Sequence, residues 1–229
     1  MQIGGFQKFS LIDFPGKISA IVFTQGCNFR CPYCHNPELV DPQKYTQLIP
    51  ENKIFAFLQT RRGQLDAVSI TGGEPTLHHD LPDFIRRIKE MGFLVKLDTN
   101  GTNPEMLSQI IQEDLVDYMA MDIKAPLQKY SILTGSEVDE STILRSISLI
   151  ENSGIDYEFR STLVKHLLTP DDVLNMGMML GSAKRYFLQK FVPSKTLDKG
   201  LENLSNFSQD SLNLLVSKMQ GNFAEFVVR

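Results

Sequence analysis

The chain lacks a basic excess. Its 229 residues carry 23 Lys and Arg against 27 Asp and Glu, a formal net charge of −4. Little is therefore available to release counterions from nucleic acid, which excludes DNA or RNA binding as the main task. It also lacks any run near the ~20 apolar residues of a membrane span. The early apolar run at 18–23 is short and β-branched, and it follows Asp13, Pro15 and Lys17 instead of a basic leader. The expectation is a cytoplasmic protein with no signal peptide and no membrane contact. Cysteine is scarce: the 3 residues do not make the even, dispersed framework of a secreted domain and suggest metal or redox chemistry. Low-complexity segments and long linkers are missing too. Apolar residues make up 42% and charged ones 22%, which excludes global disorder, collagen-like structure and coiled coil.

What is present is an alternation of short strand-like runs with helix-length segments. Strands are expected at 18–24, 67–71, 93–98, 116–123, 157–164 and 184–192, with a last short one at 223–228. Helices are expected at 50–62, 81–91, 140–152 and 210–219, with two more opening at Asn103-Pro104 and Thr169-Pro170. The stretch 125–139 reads as an irregular connection. Six strands alternating with helices argue for an α/β fold with a parallel sheet wound one way, and six units fall short of a full eight-unit barrel. The expected architecture is an incomplete (β/α)6 parallel barrel in one domain, 1–229, with its core at about 16–195 and a helix and short strand after it. Polar residues gather where strands end: Gln25-Gly26-Cys27, Thr71 to Pro75, Asp98 to Gly101, Asp122 to Lys124, and Arg160 to Thr162 with Lys165-His166. Parallel strands end on one face, so these clusters converge on one mouth.

All three cysteines lie in one loop, Cys27-Asn28-Phe29-Arg30-Cys31-Pro32-Tyr33-Cys34. Thiolates favour zinc or iron–sulfur clusters. Three of them can hold three corners of a four-iron cube and leave the fourth iron open, as a catalytic site requires. A ferredoxin would supply a fourth cysteine, and this chain has none. A zinc site with His35 as fourth ligand is the other arrangement, although His35 adjoins Cys34 and neighbours wrap one tetrahedral ion poorly. His78 and His79 read as surface caps, His166 stays open, and Met176, Met178 and Met179 read as core.

The pattern Cys27-x-x-x-Cys31-x-Tyr33-Cys34 after the first strand, with Gly72-Gly73-Glu74-Pro75 after the second, resembles the signature of radical S-adenosylmethionine (SAM) enzymes. The stretch from Phe23 to Glu38 is similar to activating enzymes of glycyl radical proteins. The opening Gly5-Phe6-Gln7-Lys8-Phe9-Ser10-Leu11-Ile12-Asp13-Phe14-Pro15-Gly16-Lys17 resembles the branch that serves anaerobic ribonucleoside-triphosphate reductase.

This resemblance implies a 4Fe-4S cluster on Cys27, Cys31 and Cys34 whose open iron binds SAM. One-electron reduction then yields methionine and a 5′-deoxyadenosyl radical, which takes a hydrogen atom from a glycine of the partner enzyme. A flavodoxin or ferredoxin is the implied electron donor. For the SAM site the resemblance implies Tyr33 beside the adenine, backbone from Tyr33 to His35, and Gly72 and Gly73 approaching the amino group, with Glu74 beside them. It further implies Asp98 and Thr99 toward SAM and a monovalent cation. Asp122 and Lys124 match its Asp-x-Lys, where a carboxylate can accept from the ribose hydroxyls and an ammonium can pair with the SAM carboxylate. Arg160, if it enters the barrel, needs an anion, which is either bound SAM or Asp122, or else it forms a structural pair. Phe191-Val192-Pro193 stands where the pyruvate formate-lyase activator has a histidine, so backbone or Lys190 is expected to take over that contact. The competing function is a radical SAM enzyme acting on a small molecule, similar to 7-carboxy-7-deazaguanine synthase. The few residues after the barrel favour a protein substrate, and the lack of cysteines for an auxiliary cluster argues against sulfur insertion and clustered peptide-maturing enzymes.

Overall fold

The computed structural model describes residues 1–181 and 183–229. Its strands are β1 (Ile3–Ser10), β2 (Ser19–Thr24), β3 (Ala67–Gly72), β4 (Leu94–Thr99), β5 (Tyr118–Asp122), β6 (Asp156–Leu163), β7 (Arg185–Lys190) and β8 (Glu225–Val228). They form one sheet in chain order. From β2 onward every pair is parallel, whereas β1 runs antiparallel to β2. The six expected strands are thus the middle of an eight-stranded partial barrel. The final short strand is present as β8, and β1 is an addition to the expected set. Its sequence carries two glycines and no clean alternation of apolar and polar residues, so the period-two signal is weak.

The helices are α1 (Pro37–Val40), α2 (Glu51–Gln59), α3 (Leu81–Glu90), α4 (Pro104–Gln112), α5 (Tyr130–Thr134), α6 (Glu140–Glu151), α7 (Pro170–Met179) and α8 (Gln209–Met219). Their starts follow local chemistry. The Asn103 side chain accepts from Met106 N with Pro104 at the first turn, and Thr169 forms a reciprocal capping box with Asp172. Gly92 ends the α3 turn at φ +90°. The stretch 125–139 is not wholly irregular, because it contains α5.

Alternation along the strands separates two environments. Val22, Ile70, Val95, Leu97, Met119, Met121, Phe159 and Leu188 are buried in the cluster that also holds Ile54, Ile85, Ile110, Ile147, Met176 and Leu215 from the helices. Met178 departs from the expected core and is 71% exposed. The opposite face, turned to the lumen, is polar: Lys96 and Asp98 on β4, Asp122 on β5, and Glu158 and Arg160 on β6 meet one another. At the N-terminal ends of the strands a small separate cluster of Phe14, Ala67 and Tyr118 closes the floor, the two rings lying 5.7 Å apart.

Candidate active site

At the C-terminal ends of the strands lies a cavity of about 210 Å³. Its lining includes Cys27, Cys31, Tyr33, Cys34, His35, Gly72, Gly73, Glu74, Asp98, Thr99, Asp122 and Lys124. Twelve of the thirteen expected site residues therefore meet at one mouth, and Arg160 reaches them from beneath through its ion pairs to Asp98 and Asp122. His78, His79 and His166 are not among the lining residues.

The cysteine loop is held by its backbone. Gly26 N donates to Leu39 O at 2.8 Å and Arg30 N to Thr134 O at 2.6 Å. Leu197 N donates to Cys34 O at 3.0 Å and Asp198 N to Pro32 O at 2.9 Å. The Arg30 guanidinium donates to the carbonyls of Cys27 and Phe29, both at 2.7 Å. Asn28 ties the loop to the end of β4: its amide donates to Thr102 Oγ1 and its oxygen accepts from Asn100 Nδ2, each at 2.9 Å. Asn28, Asn100, Thr102 and Thr134 serve the site without having been singled out by sequence reasoning. Asn100 and Thr102 flank a Gly in a turn sequence, which is the only signal they give.

Both glycines line the cavity, and their lack of a Cβ also serves the packing of the loops. A Cβ on Gly73 would stand 2.0 Å from Gly26 O, and one on Gly72, at φ +112°, would stand 2.5 Å from Thr24 N. Their bareness lets the loop after β3 lie directly on β2 and on the start of the cysteine loop. Gly73 N donates to Thr24 O at 2.9 Å and Glu74 N to Gly26 O at 2.8 Å.

Glu74 is buried and committed to bracing. Its Oε1 accepts from Thr76 N at 3.1 Å, Thr76 Oγ1 at 2.5 Å and Thr99 Oγ1 at 2.8 Å, while Oε2 accepts from Asn100 N at 2.6 Å. Burial raises its carboxyl above the usual range, and the four donors pull the other way without cancelling it.

Asp98, Asp122, Lys124 and Arg160 form one ionic network. Arg160 Nη2 lies 3.2 Å from Asp98 Oδ2 and its Nε donates to Asp122 Oδ1 at 3.0 Å. Lys124 Nζ donates to Asp122 Oδ2 at 3.1 Å. Burial, the largest single influence, would raise both carboxyls, but Arg160 together with Lys96 at Asp98, and with Lys124 at Asp122, outweighs it, so both stay ionised below the usual range. Burial, the largest single influence, would lower the Lys124 ammonium; its surroundings, Asp122 foremost, together hold it well above its ordinary value.

The three thiols show the reverse. Burial pushes Cys27 up to about 12 and Cys31 up to about 11, and raises Cys34. Thiolates at this depth need a cationic partner, which an iron cluster supplies on binding. Among the described residues no three His, Cys, Asp or Glu side chains converge tightly enough to hold one metal ion. His35 turns elsewhere: its Nδ1 lies 3.0 Å from Lys195 O, and its ring stacks on Phe191 with centroids 5.6 Å apart. Tyr33 lines the cavity, and its buried hydroxyl has no hydrogen-bond partner. Soft donors on one loop, a cavity bounded by backbone and an unpartnered hydroxyl fit a cluster with a polar nucleotide beside it.

Residues 21–177 match the Radical SAM superfamily. The chain belongs to that superfamily. A protein of Methanocaldococcus jannaschii named as a glycyl-radical enzyme activating enzyme is 34% identical over 93% of this chain and 89% of its own length. A pyruvate formate-lyase-activating enzyme of Clostridium pasteurianum is 26% identical over 86% of this chain and 83% of its own. Among solved structures, Streptococcus suis SuiB bound to precursor peptide SuiA superposes with a TM-score of 0.66 at 14% identity, covering 91% of this chain. That likeness is one of fold, and this chain spans about half, 48%, of that structure's length. The radical SAM chain is thus an enzyme that uses a 4Fe-4S cluster and SAM, and it groups with the activating enzymes of glycyl radical enzymes. No helix among its described residues is long and apolar enough to cross a membrane.

Proposed function

We propose that this chain, as one radical SAM domain in the cytoplasm, activates anaerobic ribonucleoside-triphosphate reductase by taking a hydrogen atom from a glycine of that partner. A flavodoxin or ferredoxin supplies the electron. What supports this partner is the segment from Gly5 to Lys17, which resembles the branch that serves that reductase. It forms β1 and the following turn, presents Phe9, Leu11 and Ile12 to solvent at 54%, 63% and 95% exposure, and sends Phe14 into the barrel floor. An apolar tip of this kind suits contact with another protein better than enclosure of a small molecule.

Cys27, Cys31 and Cys34 are assigned to the cluster. When bound, the cluster and SAM supply a one-electron reductive cleavage and hydrogen-atom abstraction, and the protein's own share is binding, orientation and exclusion of water. Lys124 offers its ammonium to the SAM carboxylate, and Asp122 keeps lone pairs free for ribose hydroxyls beyond those used by Lys124 and Arg160. The backbone of Gly72 and Gly73 meets the amino group, with Glu74 fixing that loop against Thr99 and Asn100. Tyr33 flanks the adenine. The His35–Phe191 stack fills the end of β7, so the nucleoside contact there falls to backbone or to Lys190.

The test is electron paramagnetic resonance on reconstituted enzyme, SAM, a reductant and the cognate anaerobic reductase. A glycyl doublet is expected. SAM cleavage with no doublet, together with turnover of a small substrate, would move the reading to the synthase-like alternative.

A further inference from the structure

We propose that Lys96 is the built-in cation of this site, and that the chain holds its SAM-side carboxylates without any metal cation from solution. The proposal rests on the SAM-binding reading above.

Lys96 and Asp98 occupy alternate positions on β4, so both side chains enter the lumen. Lys96 is 1% exposed, and its ammonium donates to Asp98 Oδ1. A lysine so deep persists only with a charged partner. The resemblance drawn from the sequence implies a monovalent cation at Asp98 and Thr99, and such an ion needs oxygen atoms to surround it. Here those atoms are committed. Asp98 Oδ1 holds Lys96 and Oδ2 lies 3.2 Å from Arg160 Nη2. The Thr99 hydroxyl donates to Glu74 Oε1 at 2.8 Å. Neighbouring Asp122 takes Arg160 on one oxygen and Lys124 on the other. An added cation would have to share Asp98 with both the Lys96 ammonium and the Arg160 guanidinium, so the residues present do not fit it at this position.

Charge leads to the same place. The carboxylates of Asp98, Asp122 and Glu158 face the cations Lys96, Lys124 and Arg160. Glu74 is taken up by four donors and Glu158 also pairs with Arg229, so a further positive ion at Asp98 would stand directly beside the Lys96 ammonium. An ε-ammonium is also the side chain nearest in kind to a monovalent ion, a compact point charge with donors and no acceptor. Lys96 is thus a positioning residue. It fixes the charge and direction of Asp98, and through Arg160 it fixes Asp122.

Two measurements decide this. In the first, thallium(I), a spectroscopic stand-in for potassium, is titrated by NMR into cluster-loaded wild type with SAM in choline buffer. No bound thallium is expected; one bound ion per chain overturns the proposal. In the second, the cluster-free protein is melted in potassium chloride and in choline chloride at equal ionic strength. Wild type melts at the same temperature in both. Lys96→Ala melts lower in choline, by on the order of 10 °C for a broken buried pair, and potassium restores part of the loss. A Lys96→Ala protein that folds and melts identically in both salts overturns the proposal, and if that variant does not fold, the wild-type thallium titration decides alone. Wild type that binds no SAM breaks the functional reading instead, and the melting comparison still tests Lys96.

Discussion

Along β4, Val95 and Leu97 turn to the helices while Lys96 and Asp98 turn to the lumen; along β6, Phe159 packs outward and Glu158 and Arg160 inward. The same strands thus obey two rules at once. The outer face is sealed by non-directional burial, which tolerates change of shape at modest cost. The inner face is a set of ion pairs and hydrogen bonds in which each group is partner to a particular other, so a single loss leaves a buried charge exposed to its own desolvation penalty. The outer face supplies the apolar burial and the inner face the SAM chemistry, with the loops at the strand ends joining them.

The sharpest way to break that division is at the mouth. Cys31→Ala is expected to abolish both reconstituted iron binding and formation of 5′-deoxyadenosine, read by iron analysis and by chromatography of the nucleoside; full cleavage in this variant would refute the site. Next in size is Gly73→Ala. Its Cβ would meet Gly26 O at 2.0 Å, so the two loops must separate. A shift of about 1 Å there should cost roughly 100-fold in SAM cleavage, in single-turnover assays, with the fold retained by circular dichroism.

Below the mouth, Asp98→Asn strips Lys96 and Arg160 of a shared partner, and urea unfolding near neutral pH should show a loss of about 3 kcal/mol. The pH dependence has a definite sign. Because Asp98 is held below its ordinary value of 3.8, its contribution is fully present above that value and fades as pH falls through the lower folded-state pKa. Wild type and variant should therefore stay apart at neutral and mildly acidic pH and converge only below the ordinary value. The smallest effect belongs to the outer face: Ile70→Val should cost about 1 kcal/mol and leave the SAM dissociation constant unchanged. A change in SAM affinity from that variant would dissolve the distinction between the two faces.

Much of this is legible in the amino-acid sequence alone. Apolar runs of strand length, each followed by Gly, Asp, Thr or Cys, announce strand ends that share a mouth, and the spacing from Cys27 to Cys34 names the chemistry. Less visible are features that depend on what lies across the fold. β1 carries glycines where a strand pattern should alternate, and its role in delivering Phe14 to Tyr118 needs the floor to be known. Gly73 announces a bare backbone but not that Gly26 is what approaches it. Lys96 is readable in principle: it stands two residues before Asp98, so strand alternation alone places both on one face. A lone lysine in mid-strand attracts no notice until its burial is known. Tyr33 and Glu74 stand out as motif residues, yet the four donors on Glu74 come from two separate loops, which no local window brings together.

The place of Lys96 bears on how the lumen assembles. Lys96 and Asp98 lie two residues apart on one strand, so the ammonium reaches its carboxylate as soon as β4 is extended and in fixed one-to-one ratio. The pair is written into a single strand, whereas Arg160 must arrive from β6.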